Sequence, residues 1–217
     1  MRVIVADEIV ALQDRRTRDW HVSPRGENGV SHPVADEDAA DEIVAWLRVV
    51  ERQHQANFEL WHIEDEARRP GASDSEIAGV KRRIDKTNQR RNDLAEGLDR
   101  VLLNWLEQRN LPSATAPLHS ESPGLIIDRL SILALKIYHT SEEAERADAP
   151  EGHAQRNRER LAILKEQRSD LAGCLDVLWR ESLSGARRFK IYRQLKMYND
   201  PTLNPAIYGG SQETIAD

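Results

Sequence analysis

One cysteine, Cys174, stands among 217 residues, so no internal disulfide can form. Aromatic residues make up only 5% of the chain, too few for the aromatic and β-branched runs that strands need. No stretch of about 18 apolar residues exists, and none could cross a bilayer as a helix. Asp7 and Glu8 follow Met1 too early to leave room for the apolar centre of a signal peptide. The 11 glycines are scattered through turns and form no phosphate-cradling loop. A basic excess is missing too: 31 basic and 37 acidic residues give a net charge of −6, which argues against nucleic acid or an anionic membrane as partner. These absences together predict a cytoplasmic protein in a reducing compartment, with no membrane span.

What is present favours helix. Charged residues are 31% of the chain, and Leu, Ala, Arg and Glu dominate. The predicted fold is all-α and a single domain over 1–217. A first helix is expected over about Ala6–Arg18, with Trp20-His21-Val22 and a Pro- and Gly-rich loop after it. A second should run from Asp36 to Arg69, stopped by Pro70-Gly71, and a third from a Ser73 or Asp74 cap to about Arg109. Ser122-Pro123 should start a fourth, ending near Arg146, and a fifth should follow Ala149-Pro150-Glu151-Gly152 to about Leu183. Short connections make these an antiparallel bundle of four long helices, with an N-terminal helix and a C-terminal arm added.

Shifting the chain by 77 places Arg91-Asn92-Asp93-Leu94-Ala95-Glu96-Gly97-Leu98-Asp99 on Arg168-Ser169-Asp170-Leu171-Ala172-Gly173-Cys174-Leu175-Asp176, with six of nine residues identical. The same shift aligns Leu60-Trp61-His62 with Ile137-Tyr138-His139, and Val49-Val50-Glu51-Arg52 with Ile126-Ile127-Asp128-Arg129. A duplicated helical hairpin is the expectation, its copies spanning about 37–109 and 123–183, with the arm over 185–217. The segment Leu125 to Tyr138 is apolar nearly all round, as a central helix would be.

The core-facing stripe of the second helix begins with Ile43, Trp46, Leu47 and Val50, then continues with His54, Asn57, Trp61, Glu64, Asp65 and Arg68. Polar groups in a core direction mark either a functional site or a bundle that widens toward solvent. In the central helix Asp128, Arg129, Lys136 and His139 sit among aliphatic residues, so carboxylates must approach the bases; Glu64, Asp65 and Glu51 are the expected suppliers. A closed network would leave nothing for a ligand, whereas an incompletely neutralised Arg68, Arg129 and Lys136 group would take a phosphate or carboxylate.

No metal and no cofactor are assigned. Glu51 with His54 and Glu59 with His62 have the Glu-x-x-His spacing of di-iron bundles, but both lie on one helix. His62 with Glu66 and His139 with Glu143 are symmetric i, i+4 pairs of a kind commoner as surface pairs than as metal ligands. For a magnesium-dependent nucleotide pyrophosphatase the best carboxylates are Glu64, Asp65, Glu96 and Asp99, yet Asp99 falls off its helix's apolar stripe and is expected in solvent. Cys174 reads as an inert core thiol between Leu171, Leu175 and Leu178.

Three blocks carry a resemblance: Asn57 to Arg68, Ser122 to His139, and Lys196-Met197-Tyr198-Asn199-Asp200-Pro201 with Leu203-Asn204-Pro205. In them the chain resembles a bacterial family catalogued as domain of unknown function 4254. The resemblance implies a setting beside glycosyltransferases in surface-polysaccharide gene clusters, hence an accessory role in glycan assembly. Its signature polar positions match Asn57, Glu64, Asp65, Arg68, Asp128, Arg129, Lys136, Asn199 and Asp200.

The resulting expectation is a helical protein binding an anionic small molecule, a sugar nucleotide or phosphosugar, or a partner such as a glycosyltransferase. The candidate ligand-binding residues are Asn57, Trp61, Glu64, Asp65, Arg68, Asp128, Arg129, Lys136, His139, Lys196, Asn199 and Asp200, with the Tyr-rich C-terminal arm closing the cleft. A second expectation is an enzyme on a phosphorylated substrate, with or without Mg²⁺, using Asp65 or Asp128 as base and His62 or His139 as acid–base partner. A third is a scaffold whose charges close on themselves. Five Trp on long helices suit a homodimer as well as a monomeric core.

Overall fold

The computed structural model describes residues 5–23, 39–193, 202 and 203. It is all-helical, with α1 over Ala6–Val22, α2 over Ala39–Glu66, α3 over Asp74–Glu107, α4 over Pro123–Glu145 and α5 over His153–Leu183. The helix ends follow local chemistry. Ser73 caps α3 in a reciprocal box, its hydroxyl accepting from Glu76 N–H while the Glu76 carboxylate accepts from Ser73 N–H. Ser122 caps α4, with Pro123 in the first turn where its missing N–H costs nothing. Gly152 takes φ +74 immediately before α5, a left-handed turn that an L side chain would strain.

The α2 and α3 helices run antiparallel, because the pairs Arg69 with Glu76, Arg83 with Glu66 and Arg90 with Glu59 climb one helix as they descend the other. The α4 and α5 helices pack against each other in the same way across the turn between them. Four helices touch α4: α1, α2, α3 and α5. This is why its sequence is apolar nearly all round. Ile126, Ile127 and Leu130 of α4 are fully buried with Ile9, Val50, Leu98, Leu102, Leu106 and Leu175, each side chain contributing about 1.5–3 kcal/mol relative to exposure. Against α2, α4 runs parallel: Gln53 meets Asp128, His54 meets Ser131, and the His62 ring lies 5.9 Å from that of His139.

Asp99, expected in solvent, is 2% exposed. It accepts from Gly124 N–H at 2.6 Å and from the Ser122 hydroxyl, so a carboxylate of α3 sits on the N-terminus of α4. The α3–α4 approach, rather than the α3 stripe alone, decides its burial. Cys174 is also corrected, from core to exposed: it faces away from the Leu171 and Leu175 side that meets the core. After α5 the chain returns along the 117–119 connector, where Arg188 N–H donates to Pro117 and His119 N–H to Arg188, and Phe189 is buried.

Candidate functional site

The α2 stripe divides into layers. In the deepest, Asp128 accepts from the side-chain amides of Gln53 and Asn57 and pairs with Arg91 at 3.1 Å. Asn57 also donates to the Ser131 hydroxyl at 2.9 Å, and Ser131 in turn lies 2.7 Å from His54 Nδ1. The other ring nitrogen of His54 is 3.0 Å from Thr17 Oγ1, whose own proton goes to the Gln13 carbonyl. One assignment uses every partner: Ser131 donates to Nδ1 and the Nε2–H of His54 donates to Thr17. Burial drives the His54 imidazole down to about 4, so it is neutral. Asp128 is pushed up by burial, against the opposing pull of Arg91, Asn57 and Gln53. This layer is a polar network tying α1, α2, α3 and α4 together; its carboxylate is engaged through both oxygens, while Gln53 Oε1 and Arg91 Nε are buried without a hydrogen-bond partner.

At the far end of α2 the stripe opens to solvent. Asp65 and Arg68 are exposed, and Arg68 pairs with Glu64 and Asp65 in its own turn. Arg129 is exposed as well and is held by both oxygens of Glu121 at 2.8 Å. The convergence of Arg68, Arg129 and Lys136 therefore does not occur. Because α2 and α4 run parallel with Gln53 level with Asp128, Glu64 and Asp65 stand some 10 to 11 residues, about 16 Å, beyond Arg129 along the axis. Glu51, the third expected supplier, pairs instead with Arg16 of α1 at 2.9 Å. Lys196, Asn199 and Asp200, with Tyr198 and Tyr208, lie outside the described residues.

Two hollows open between α4 and α5 and meet at Lys136. One, of about 370 Å³, is lined by Trp61, Lys136, His139, Glu143, Arg160 and Ile163 among others. The second, of about 740 Å³, adds Arg129, Glu121, Ile132, Asp170 and Cys174. Lys136 is exposed and has no acidic partner among the described residues. Arg160 donates to the Asn157 amide oxygen at 3.2 Å rather than to a carboxylate. Trp61 stacks on the His139 ring, centroids 4.9 Å apart and planes 10° from parallel, which gives the first hollow a flat aromatic wall. Of the candidates, Trp61, Lys136, His139 and Arg129 thus share one surface, while Asn57 and Asp128 are in the buried polar layer and Glu64, Asp65 and Arg68 are at the helix end.

Behind that wall, His21 of α1, His62 of α2 and His139 of α4 each bring a ring nitrogen within 4.8 Å of the other two. Tyr138 stacks on His21 at 4.3 Å, and Phe58 lies edge-on to His21. His21 was absent from the sequence candidates because α1 was expected to stop near Arg18. The helix continues to Val22, which carries His21 onto its last turn. No local motif signals this: the three histidines meet only through tertiary packing.

The family described as "Protein of unknown function (DUF4254)" matches residues 47–191. The chain belongs to this family. The match covers about two thirds of the sequence, including α3, α4, α5 and both hollows, and leaves α1 outside. Neither a curated protein nor a solved structure matches the chain. Among the described residues no helix is long and apolar enough to cross a membrane.

Proposed function

We propose that the protein binds an anionic small molecule, of the sugar nucleotide or phosphosugar class, along the α4–α5 groove. The observation that carries this reading is Lys136: an exposed cation with no acidic partner among the described residues, at the junction of two hollows. Arg160 stands in one hollow and Arg129 in the other, so an anion at Lys136 has a second cation on either side. The Trp61 wall offers an apolar face to a base or sugar ring. Compared with the set read from sequence, the site keeps Trp61, Arg129, Lys136 and His139, gains Arg160, and loses Arg68, Asp65 and Asn57.

The same reading places the protein in the cytoplasm, supported by its lone cysteine, and in glycan assembly next to a glycosyltransferase, supported by the family resemblance. The duplicated hairpin also belongs to this proposal. Moved by 77, Asp74–Glu107 becomes 151–184, against 153–183 for α5, and Glu66 becomes 143, against a last α4 residue of 145. Three helix ends agree within two residues and favour two copies related by a pseudo-twofold axis, while the α2 start, Ala39, moves to 116, seven residues ahead of Pro123.

The test is the thermal midpoint of the purified protein against sugar nucleotides, phosphosugars and inorganic phosphate. A ligand at 100 times its Kd should add about 2.7 kcal/mol to stability, which is a shift of several degrees. Lys136→Ala should abolish that shift without altering the unliganded midpoint, since its side chain is exposed. A panel without effect on the wild type, or a shift that survives Lys136→Ala, would overturn the proposal.

A further inference from the structure

The three-histidine cluster is the best-prepared group of donors among the described residues. His21 Nδ1 is 2.7 Å from the Thr17 carbonyl, and His62 Nδ1 is 2.8 Å from the Phe58 carbonyl. A carbonyl can only accept, so both Nδ1 atoms carry the proton, and each ring presents Nε2 as a bare lone pair. His139 Nδ1 lies 3.0 Å from a Glu142 carboxylate oxygen, which fixes the same tautomer. Nε2 of His21 and Nε2 of His139 are both buried without a hydrogen-bond partner. Lone pairs buried in this way are costly unless a cation or a donor sits between them.

We infer that His21, His62 and His139 form a transition-metal site, taking Zn²⁺ or a similar imidazole-seeking divalent ion through their Nε2 atoms. The acceptors behind the rings are the outer partners such sites use: Nδ1–H held by a carbonyl or carboxylate fixes the tautomer and ring orientation and raises ligand basicity. The aromatic packing of Tyr138, Trp61 and Phe58 restricts ring rotation. Size is compatible. Three nitrogens no more than 4.8 Å apart lie at most about 2.8 Å from a common centre, so an inward movement of at most about 0.7 Å each reaches the Zn–N distance of about 2.1 Å. A set of three imidazoles without thiolate selects Zn²⁺, Cu²⁺, Co²⁺ or Ni²⁺ over Mg²⁺ or Ca²⁺. Three protein ligands leave a fourth position open, as in catalytic rather than structural zinc sites. His139 belongs to both this site and the hollow wall, yet the metal site stands whether or not the groove takes an anion.

The experiment is calorimetric titration of the chelator-treated, full-length protein with ZnCl₂. One Zn²⁺ per chain is expected, with affinity falling roughly 100-fold or more in His21→Ala and in His139→Ala, and unchanged in His119→Ala. Glu142→Gln, at an exposed position where folding is not at risk, should weaken binding by roughly tenfold by loosening the His139 tautomer. Co²⁺ in the wild type should give the intense visible absorption of a four-coordinate site. Failure of the wild type to bind Zn²⁺, or equal affinity in His139→Ala and wild type, would overturn the inference. Because phosphate and sugar ligands are absent from this titration, its outcome is independent of the groove test.

Discussion

His54 and Asp99 are both buried, and burial moves them in opposite directions. His54 has a folded value of about 4 against 6.5 unfolded, so its contribution is fully present above pH 6.5 and is lost as pH falls toward 4. Asp99 is pushed up to about 6 from 3.8, against the bonds it accepts from Ser122 and Gly124, so stability on its account declines as pH rises from 3.8 to 6. Each effect is worth roughly 3 kcal/mol across its window, and over pH 4–6 the two slopes largely cancel. Relative to wild type, Asp99→Asn should therefore show stability climbing through this interval, and His54→Gln should show it descending. Urea unfolding at a series of pH values reads both. An Asp99→Asn profile parallel to the wild type would mean that this carboxyl ionises in the fold at no cost.

The contact between α3 and α4 rests on the absence of a side chain at Gly124. A Cβ there would run into the Ala95 carbonyl oxygen and stand 2.9 Å from the Asp99 carboxyl, displacing the acceptor that holds the α4 N-terminus. Gly124→Ala should destabilise the protein by about 1–3 kcal/mol in urea unfolding, although alanine is the better helix former. An unchanged midpoint would show that the helices separate freely at this point. Such elements were largely legible in the sequence: Ser73, Ser122-Pro123 and Pro70-Gly71 each act locally, and the unbroken apolar run of α4 states its central position. What could not be read is which polar residues meet. Axial offset between α2 and α4 kept Arg129 from Glu64 and Asp65, and about one further turn at the end of α1 carried His21 into the helix. The α2 stripe illustrates both outcomes, with His54 and Asn57 buried as its direction demanded, and Asp65 and Arg68 in solvent where the packing partner ends.

At the scale of the molecule, α1 links parts that α2–α5 leave open. Its first amide, Ala6 N–H, donates to Asp176 of α5, Asp14 pairs with Arg168, and the Gln13 side chain donates to the Ile127 carbonyl of α4. Ile9 and Leu12 fill the core, Thr17 completes the His54 network, and His21 completes the triad. A chain lacking residues 1–23 should lose about 4 kcal/mol or more, from the two buried aliphatics and the severed polar bonds, and should bind no stoichiometric Zn²⁺. A loss under about 1 kcal/mol in urea unfolding would make α1 an appendage.

The lone thiol has a practical bearing on all of this. Cys174 lies exposed in the wall of the hollow that holds Arg129 and Lys136. Without any prior mutagenesis, a single maleimide dye or nitroxide can be placed beside the groove at one defined position, and its emission or spin mobility will register whatever enters.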